Sequence, residues 1–558
     1  MFLKADELKH NEVVTCDICI VGTGHGGMST ALELADSGRS VLLLESGTLR
    51  RDAETQKLYD GESLSHLHAS PLLYRERFFG GTSHVWGGRC SPYDAQDMTE
   101  RPYIPNSAWP IKRSDLDSAY ERAYELCDIG RYSVEVDDLL GSNAPDMIPG
   151  LESQKVRTDR AWLFSLPTNF GTKFRSTIKS STTIDCLLGA NVLSIELSAD
   201  GRQVECLEVA TLGDRRFKVR AQRYVIAAGG VETTRLLLSS RSVLPDGIGN
   251  HSGLLGRNYI SHICGKVGPW RFKPKGGPLI WSYDRTVDDI YMRRAIRIDE
   301  QALDDAKLPN IRLVLDIPPP SDPTHGNAVL SAMYLLKRLI VRHVPPEYAA
   351  DLSGLGPIKH LGAHVKNCVF GLPHLFRFGF KWLFKRILAR RKLPSLLEED
   401  AQNRYWVHFD AEQRPNPNSQ LRLSERNDRF GNPLITIDYQ VTDEDIDSTA
   451  RAIEMIASEL VRCDVADISM DPAKMRAQIL KYTGVGSHNY GTTRMAAHPD
   501  QGVVDANCRV FGVDNLYIAS SSVLPTASFA NPGLTICAIG VRLGRHLKSQ
   551  ALDPAFDA

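Results

Sequence analysis

The chain has almost no charge imbalance: 66 Lys and Arg against 67 Asp and Glu leave a net charge of −1 over 558 residues. That argues against the basic excess of a nucleic-acid binder, and no acidic tail is present. No apolar run approaches the ~18 residues needed for a membrane span. The opening MFLKADELKHNEVV lacks the apolar core of a secretory signal. The 11 cysteines are scattered and form no disulfide framework, so reduced thiols in the cytoplasm are expected. Cys16 and Cys19 spell C-x-x-C, but in a strand pattern and without a second pair at zinc spacing; packing is the better reading. His66 and His68 have no further ligand cluster nearby and are expected to be solvated loop histidines. No metal site is expected.

What is present begins at residues 16–45. A short apolar run at 18–21 reads as a buried parallel strand. It enters Gly22-Thr-Gly24-His-Gly26-Gly27, a G-x-G-x-x-G match at Gly22, Gly24 and Gly27. A helical pattern follows to Gly38, then a second apolar strand at 41–44 ending in Glu45. Gly22 suits a tight turn, Gly24 lets a pyrophosphate approach the backbone, and Gly27 lets the helix sit close to the sheet. Glu45 stands where an acid accepts hydrogen bonds from a ribose diol. The unit predicts a dinucleotide with an unphosphorylated ribose, FAD or NAD rather than NADP.

Residues 46–79 are polar and irregular. Then four glycines, Gly80, Gly81, Gly87 and Gly88, surround Thr82-Ser-His84-Val85-Trp86. Such a loop can press its backbone against a flat ligand, so Gly81, Thr82, Gly87 and Gly88 are candidate cofactor contacts. Residues 111–128 read as an amphipathic helix and 192–208 as alternating strands; Val192 is placed near the adenine. Residues 224–230 form a strand ending in Ala228-Gly229-Gly230, a second join that brings backbone to the nucleotide. From about 265 to 482 the prolines cluster and no βαβ rhythm is visible. A second domain on a mainly antiparallel sheet is expected there, with strands at 406–410, 420–423 and 434–438. Within it, residues 363–393 are rich in Phe, Trp, Lys and Arg. The reading taken is a helix packing on the protein's own core; peripheral contact with a membrane, or closure of a partner groove, is the alternative. Helices are expected at 443–462 and 472–482. Residues 487–547 are the densest stretch: His488-Asn-Tyr-Gly491-Thr492, a strand at 516–519, a turn at Ser522, then Asn531-Pro532-Gly-Leu-Thr535 opening the last helix. The expected class is α/β, a Rossmann-type domain from 1–265 and 483–558 around a substrate domain at 266–482.

At these residues the chain resembles the glucose–methanol–choline oxidoreductases, FAD-dependent alcohol oxidases and dehydrogenases. The likeness rests on the opening unit, the Gly80–Gly88 loop, Ala227-Ala-Gly-Gly230, Leu255-Gly-Arg-Asn258 and the last stretch. It implies FAD as cofactor, with Ser522, Asn531, Pro532 and Thr535 beside it. It also implies a catalytic pair, His488 and Asn531, which is most similar to the His/Asn pairing of pyranose and cholesterol oxidases. In pyranose oxidases a histidine of the G-G-x-S-x-H-W run is bonded to the flavin; here that position is Val85, with His84 one residue early, so non-covalent FAD is expected.

Oxidising an alcohol requires a base for the hydroxyl proton, and neutral histidine suits that role. Asn531 can hold the same oxygen through its amide. The expected substrate is a polar polyol: a sugar, glycoside or aminoglycoside-like compound. The alternatives are an apolar alcohol taken at a membrane surface, or a flavin-binding protein without turnover. With no C-x-x-C-H haem site, the electron acceptor is oxygen, a quinone or a separate redox protein. His84 and His262 are the next candidates for the base.

Overall fold

The apolar run at 18–21 is the buried end of a longer strand, Val13–Val21, at the centre of a sheet. In a computed structural model, which describes residues 1–141, 144–340, 356–395, 397–400, 402–482, 488–552 and 556, this sheet has six parallel strands. Their order is Phe2–Lys4, Ile184–Leu188, Val41–Glu45, Val13–Val21, Arg216–Ile226 and Leu516–Ile518. Ile18 pairs with Val41, and Val21 with Ile226. Strands covered on both faces read as unbroken apolar runs, and all five residues of Val41–Glu45 are buried. A ribbon of Asn191–Leu197 and Val204–Ala210 joins antiparallel to the start of Arg216–Ile226. This is the α/β doubly wound sheet the first residues predict.

Helix His25–Leu34 follows the central strand, and the last helix, Pro532–Ser549, lies against it. Glycine makes that contact possible: a Cβ on Gly540 would sit 2.6 Å from the Gly26 carbonyl oxygen. Thr30 Oγ1 donates to the Gly540 carbonyl at 3.1 Å across the same seam. The C-terminal stretch is thereby fixed beside the opening unit.

The second sheet is antiparallel: Ala466–Asp467, His262–Phe272, Arg404–Glu412, Ile311–Asp316, Tyr291–Ile298, Val156–Phe164 and Arg89–Cys90. Two of its strands, Val156–Phe164 and Arg89–Cys90, come from ahead of residue 265, so the chain crosses to this sheet more than once. Strand alternation gives its central strands two unlike faces. Ile263, Val267, Leu313, Leu315, Val407 and Phe409 turn to an apolar core shared with helix Asp443–Arg462. His262, Lys266, Arg312, Asp316, His408 and Asp410 turn the other way and are buried as well. That polar face backs the site.

Three sequence expectations need correction. Strands do form at 420–427 and 433–438, but they pair with Gly61–Ser63 in a separate three-stranded sheet. Ile435 and Ile437 pack there with Val231 and Tyr259 rather than on the second sheet. His68 is not solvated: it is buried, and its ring nitrogens meet Tyr259 Oη at 2.7 Å and the Ala69 carbonyl at 2.7 Å. The 363–393 segment packs on the core by one face only. It forms helices Leu361–Phe370 and Leu372–Trp382 and a π-helical turn, Leu383–Ile387. Leu375, Phe378 and Trp382 seat against Ile317, Val329, Leu330 and Leu397, while Phe370, Phe376 and Phe380 are 80%, 72% and 67% exposed. Cys16 and Cys19 are buried in the central strand. Among the described residues no helix is long and apolar enough to cross a membrane, and no group of His, Cys, Asp and Glu could hold a metal ion. Ser487 and the 482/483 boundary fall at the edge of, or outside, the described residues.

Candidate active site

Gly22 has φ +102°, and a Cβ there would meet the Ala227 carbonyl oxygen at 2.6 Å. A Cβ on Gly27 would lie 2.0 Å from the Gly22 carbonyl oxygen, so the helix sits on the turn as its glycine requires. At Gly24 and Gly229 a Cβ would meet nothing within 4 Å; both backbones border open space. Glu45 is buried at the strand end, where its carboxylate accepts from Thr23 Oγ1 at 2.5 Å and from the Gly47 amide at 2.9 Å. Thr23 Oγ1 in turn accepts from the Gly80 amide at 3.0 Å. A Cβ on Gly81 would stand 3.0 Å from Gly24 Cα, so the second glycine loop abuts the first. Thr82 lies in the 3₁₀ turn of that loop, and its carbonyl accepts from the Val85 and Trp86 amides. Gly87 borders open space; Gly88 is folded back, its carbonyl accepting from the Ser165 amide at 2.8 Å.

Val192 lies in the ribbon beside Glu45: the neighbouring Ala190 amide donates to the Glu45 carbonyl, and Asn191 Oδ1 accepts from Ser46 Oγ. Ala228 stands next to the Gly22 turn, within 3.3 Å of where a Cβ on Gly22 would be. Pro532 is the first residue of the last helix. A Cβ on Gly533 would be 3.1 Å from the Trp86 ring, which lies edge-on to His25, centroids 4.6 Å apart. Two side chains are turned inward. Ser522 Oγ bonds Thr493 Oγ1 at 2.6 Å and Ser520 Oγ at 2.5 Å, and Thr535 Oγ1 bonds Tyr120 Oη at 2.9 Å. At these two positions the side chain is engaged within the protein, which leaves any cofactor contact to the backbone.

These groups fit an anionic dinucleotide. The N-termini of two helices converge on the cradle. His25 Nε2 is buried there without a partner among the described residues. Burial lowers the His25 pKa to about 4, so the ring is neutral and can donate to a bound oxygen.

The other end is built from side chains. Asn531 caps the last helix with an extended backbone, yet its side chain makes no cap hydrogen bond. Its Oδ1 instead accepts from Arg89 Nη2 at 2.9 Å. Arg89 also pairs with Asp410 Oδ2 at 3.0 Å and lies over the Trp162 ring, 4.3 Å from its centroid. Asp410 accepts from His408 Nε2 at 3.1 Å. Burial pushes the Asp410 carboxyl up, but Arg89 and His408 overrule it and hold the group ionised, far below the usual carboxylate range.

His488 faces His262, Nδ1 to Nδ1, at 3.2 Å. Tyr490 Oη lies 3.0 Å from His262 Nε2 and donates to the Ala530 carbonyl at 3.1 Å. His262 Nε2 also meets the Ala527 carbonyl at 3.3 Å. A carbonyl only accepts, so the tyrosine proton points to Ala530 and the His262 proton sits on Nε2. A neutral His262 then offers a lone pair at Nδ1. His488 must donate from its own Nδ1, which leaves its Nε2 as the basic nitrogen. Burial, then the neighbouring His262 and the Arg89 charge, hold the His488 pKa well below that of free histidine, against the pull of Asp410. His488 is therefore neutral at pH 7. The third histidine, His84, is not poised as a base: Nε2 meets the Phe79 carbonyl at 2.8 Å and Nδ1 meets Asn169 Nδ2 at 2.5 Å.

Arg89, His408, Asp410 and Tyr490 were not singled out from sequence. One signal was available: His408 and Asp410 are two apart in a strand, hence on one face, and both are buried. Nothing in the sequence places that face opposite Asn531.

Residues 415–540 match the family described as GMC oxidoreductase. That match covers the C-terminal part of the chain, and the likenesses to known proteins agree with it. It is 24% identical to 6'''-hydroxyparomomycin C oxidase of Streptomyces lividus, over 96% of this chain and 91% of that protein. It is 22% identical to paromamine 6'-oxidase of Streptomyces fradiae, over 61% of this chain and 47% of that one. The fold matches the crystal structure of pyridoxine 4-oxidase from Mesorbium loti with a TM-score of 0.51 and 18% identity, over 96% of this chain and 100% of that one. The cofactor is FAD, and the Gly22–Gly27 turn, Glu45, the Gly80–Gly88 loop and the start of the last helix are the groups that would hold it.

Proposed function

We propose that this oxidoreductase converts an alcohol of a polar polyol, a sugar, glycoside or aminoglycoside-like compound, to the carbonyl. FAD supplies the hydride acceptor when bound. His488 Nε2 takes the hydroxyl proton, and the Asn531 amide, its oxygen engaged by Arg89, donates from Nδ2 to the same substrate oxygen. The observation that carries this reading is the diversion of Asn531 from its helix cap to Arg89: a plain N-cap would bond its own helix. The polarity of the surrounding groups and the aminoglycoside names of the two relatives support a hydrophilic substrate. An apolar alcohol is a second reading, favoured by the exposed phenylalanines of helix Leu372–Trp382.

FAD is held non-covalently in this proposal: both His84 nitrogens are engaged and the neighbouring Val85 offers no nucleophile. The protein works in the cytoplasm, where its free thiols persist. Electrons leave to oxygen, a quinone or a redox protein. Anaerobic screening of sugars, glycosides, aminoglycosides, sterols and long-chain alcohols by bleaching of the flavin spectrum tests the substrate class. Bleaching by the polar set alone supports it; bleaching by the apolar set alone replaces it with the second reading.

A further inference from the structure

Three stripes run along Leu372–Trp382 and the turn after it. Leu375, Phe378 and Trp382 face the core. Phe376, Phe380, Phe384 and Leu388, each four residues on from the last, are exposed, and Phe380 and Phe384 pack with centroids 4.7 Å apart. Arg377, Lys381 and Lys385 form the third stripe beside them, all exposed. Residues 361–393 contain eight Lys and Arg and no Asp or Glu. Two of these bases, Arg386 and Arg391, are turned onto backbone carbonyls: Arg386 caps Leu393 and Pro394, and Arg391 reaches Asp128 and Phe164. Lys366, Arg377, Lys381, Lys385, Arg390 and Lys392 remain in solvent.

Of the 23 large apolar residues exposed on the described surface, 11 fall between 361 and 388. Such concentration marks an interaction surface rather than ordinary surface scatter. Its occupant must accept apolar rings and neutralise a purely basic rim. An aqueous protein partner satisfies the first requirement only where it carries acid; an anionic bilayer meets both at once, taking rings below the headgroups and lysines among them. The segment is also rooted at the cofactor side: the Lys392 amide donates to the Leu166 carbonyl, two residues before Thr168, whose carbonyl holds Trp86 Nε1.

We propose that the exposed face of residues 361–388 docks on an anionic phospholipid surface, peripheral and reversible, next to the flavin-contacting loop. This holds whichever alcohol is oxidised. The test is co-sedimentation of the holoenzyme with phosphatidylcholine vesicles, with and without phosphatidylglycerol. Partition into the anionic vesicles should exceed partition into the neutral ones by about tenfold or more, and should fall as salt rises. The triple change Phe376→Ser, Phe380→Ser, Phe384→Ser, and separately the pair Lys381→Gln, Lys385→Gln, should each lower anionic partition by about tenfold with lipid-free flavin reduction unchanged. Flavin content and melting confirm folding; should the triple variant misfold, the lysine pair alone decides. No partition into anionic vesicles, or partition unmoved by the substitutions, overturns the proposal. So does a lipid-free dimer that Phe380→Ser dissociates, because a second copy then covers the face.

Discussion

The cradle is shaped chiefly by backbone: the turn at Gly22, the open sides of Gly24 and Gly229, and the two helix N-termini, with the Glu45 carboxylate and the His25 ring as its side-chain groups. A few ångströms of missing Cβ are what each glycine supplies. At the opposite end every group is a side chain, and the set comes from five distant stretches: Arg89, His262, His408 with Asp410, His488 with Tyr490, and Asn531. The proton-handling end has no slack, because each group is held by the next and a buried charge left alone is costly.

The largest expected effect is on the cradle side of that contrast. Gly27→Leu forces a Cβ to within 2.0 Å of the Gly22 carbonyl, so the strand–turn–helix unit cannot close and the purified protein should be colourless or insoluble. Gly24→Ala adds its methyl into open space and should still fold; a well-folded, fully yellow Gly27→Leu would show that the close approach is not needed.

Next comes the side-chain end. Arg89→Met removes the cationic partner of Asp410 and leaves it His408 alone, so the protein should be destabilised towards the ~3–5 kcal/mol that breaking a buried ion pair costs. It also has a signed pH effect. In the proposed mechanism His488 acts when neutral, so the acid limb of flavin reduction should lie at its folded pKa, below that of free histidine. Arg89 helps depress that pKa and Asp410 opposes it, so without Arg89 the limb should move to higher pH. An unmoved limb would detach Arg89 from His488.

The smallest effect returns to the cradle. Glu45→Ala removes a charge-assisted acceptor worth about 1.5–3 kcal/mol, and FAD should dissociate about tenfold or more faster on dilution and gel filtration. Unchanged occupancy would mean that Glu45 serves only Thr23 and Gly47.

The same contrast explains what could be read from the sequence. Gly22, Gly24, Gly27 and Glu45 stand within one βαβ unit whose spacing is set by local geometry, so the cradle was legible. His488 and Asn531 emerged through resemblance to a family, not through spacing. His408, Asp410 and His262 meet only through the register of two antiparallel strands, in which Cys264 pairs with Asp410 and Lys266 with His408. Arg89 reaches them from a two-residue strand on the far side of the sheet. No short-range pattern encodes such a register. His68 was misread for a similar reason: what buries it is Tyr259, 191 residues away. The strands expected at 420–423 and 434–438 form, the first of them longer, but in a different sheet, since Ile435 and Ile437 carry no mark of which apolar surface they will meet.

The central claim is that His488 and Asn531 act on one substrate oxygen. Anaerobic stopped-flow bleaching of the flavin at saturating substrate, on His488→Ala, Asn531→Ala and the double variant, tests it most directly. His488→Ala should keep its FAD and slow reduction by about 10²–10⁴. Asn531→Ala should also slow it, and the double variant should be slowed by much less than the product of the two. Near-normal reduction in His488→Ala, or strictly multiplicative losses in the double variant, would contradict the account.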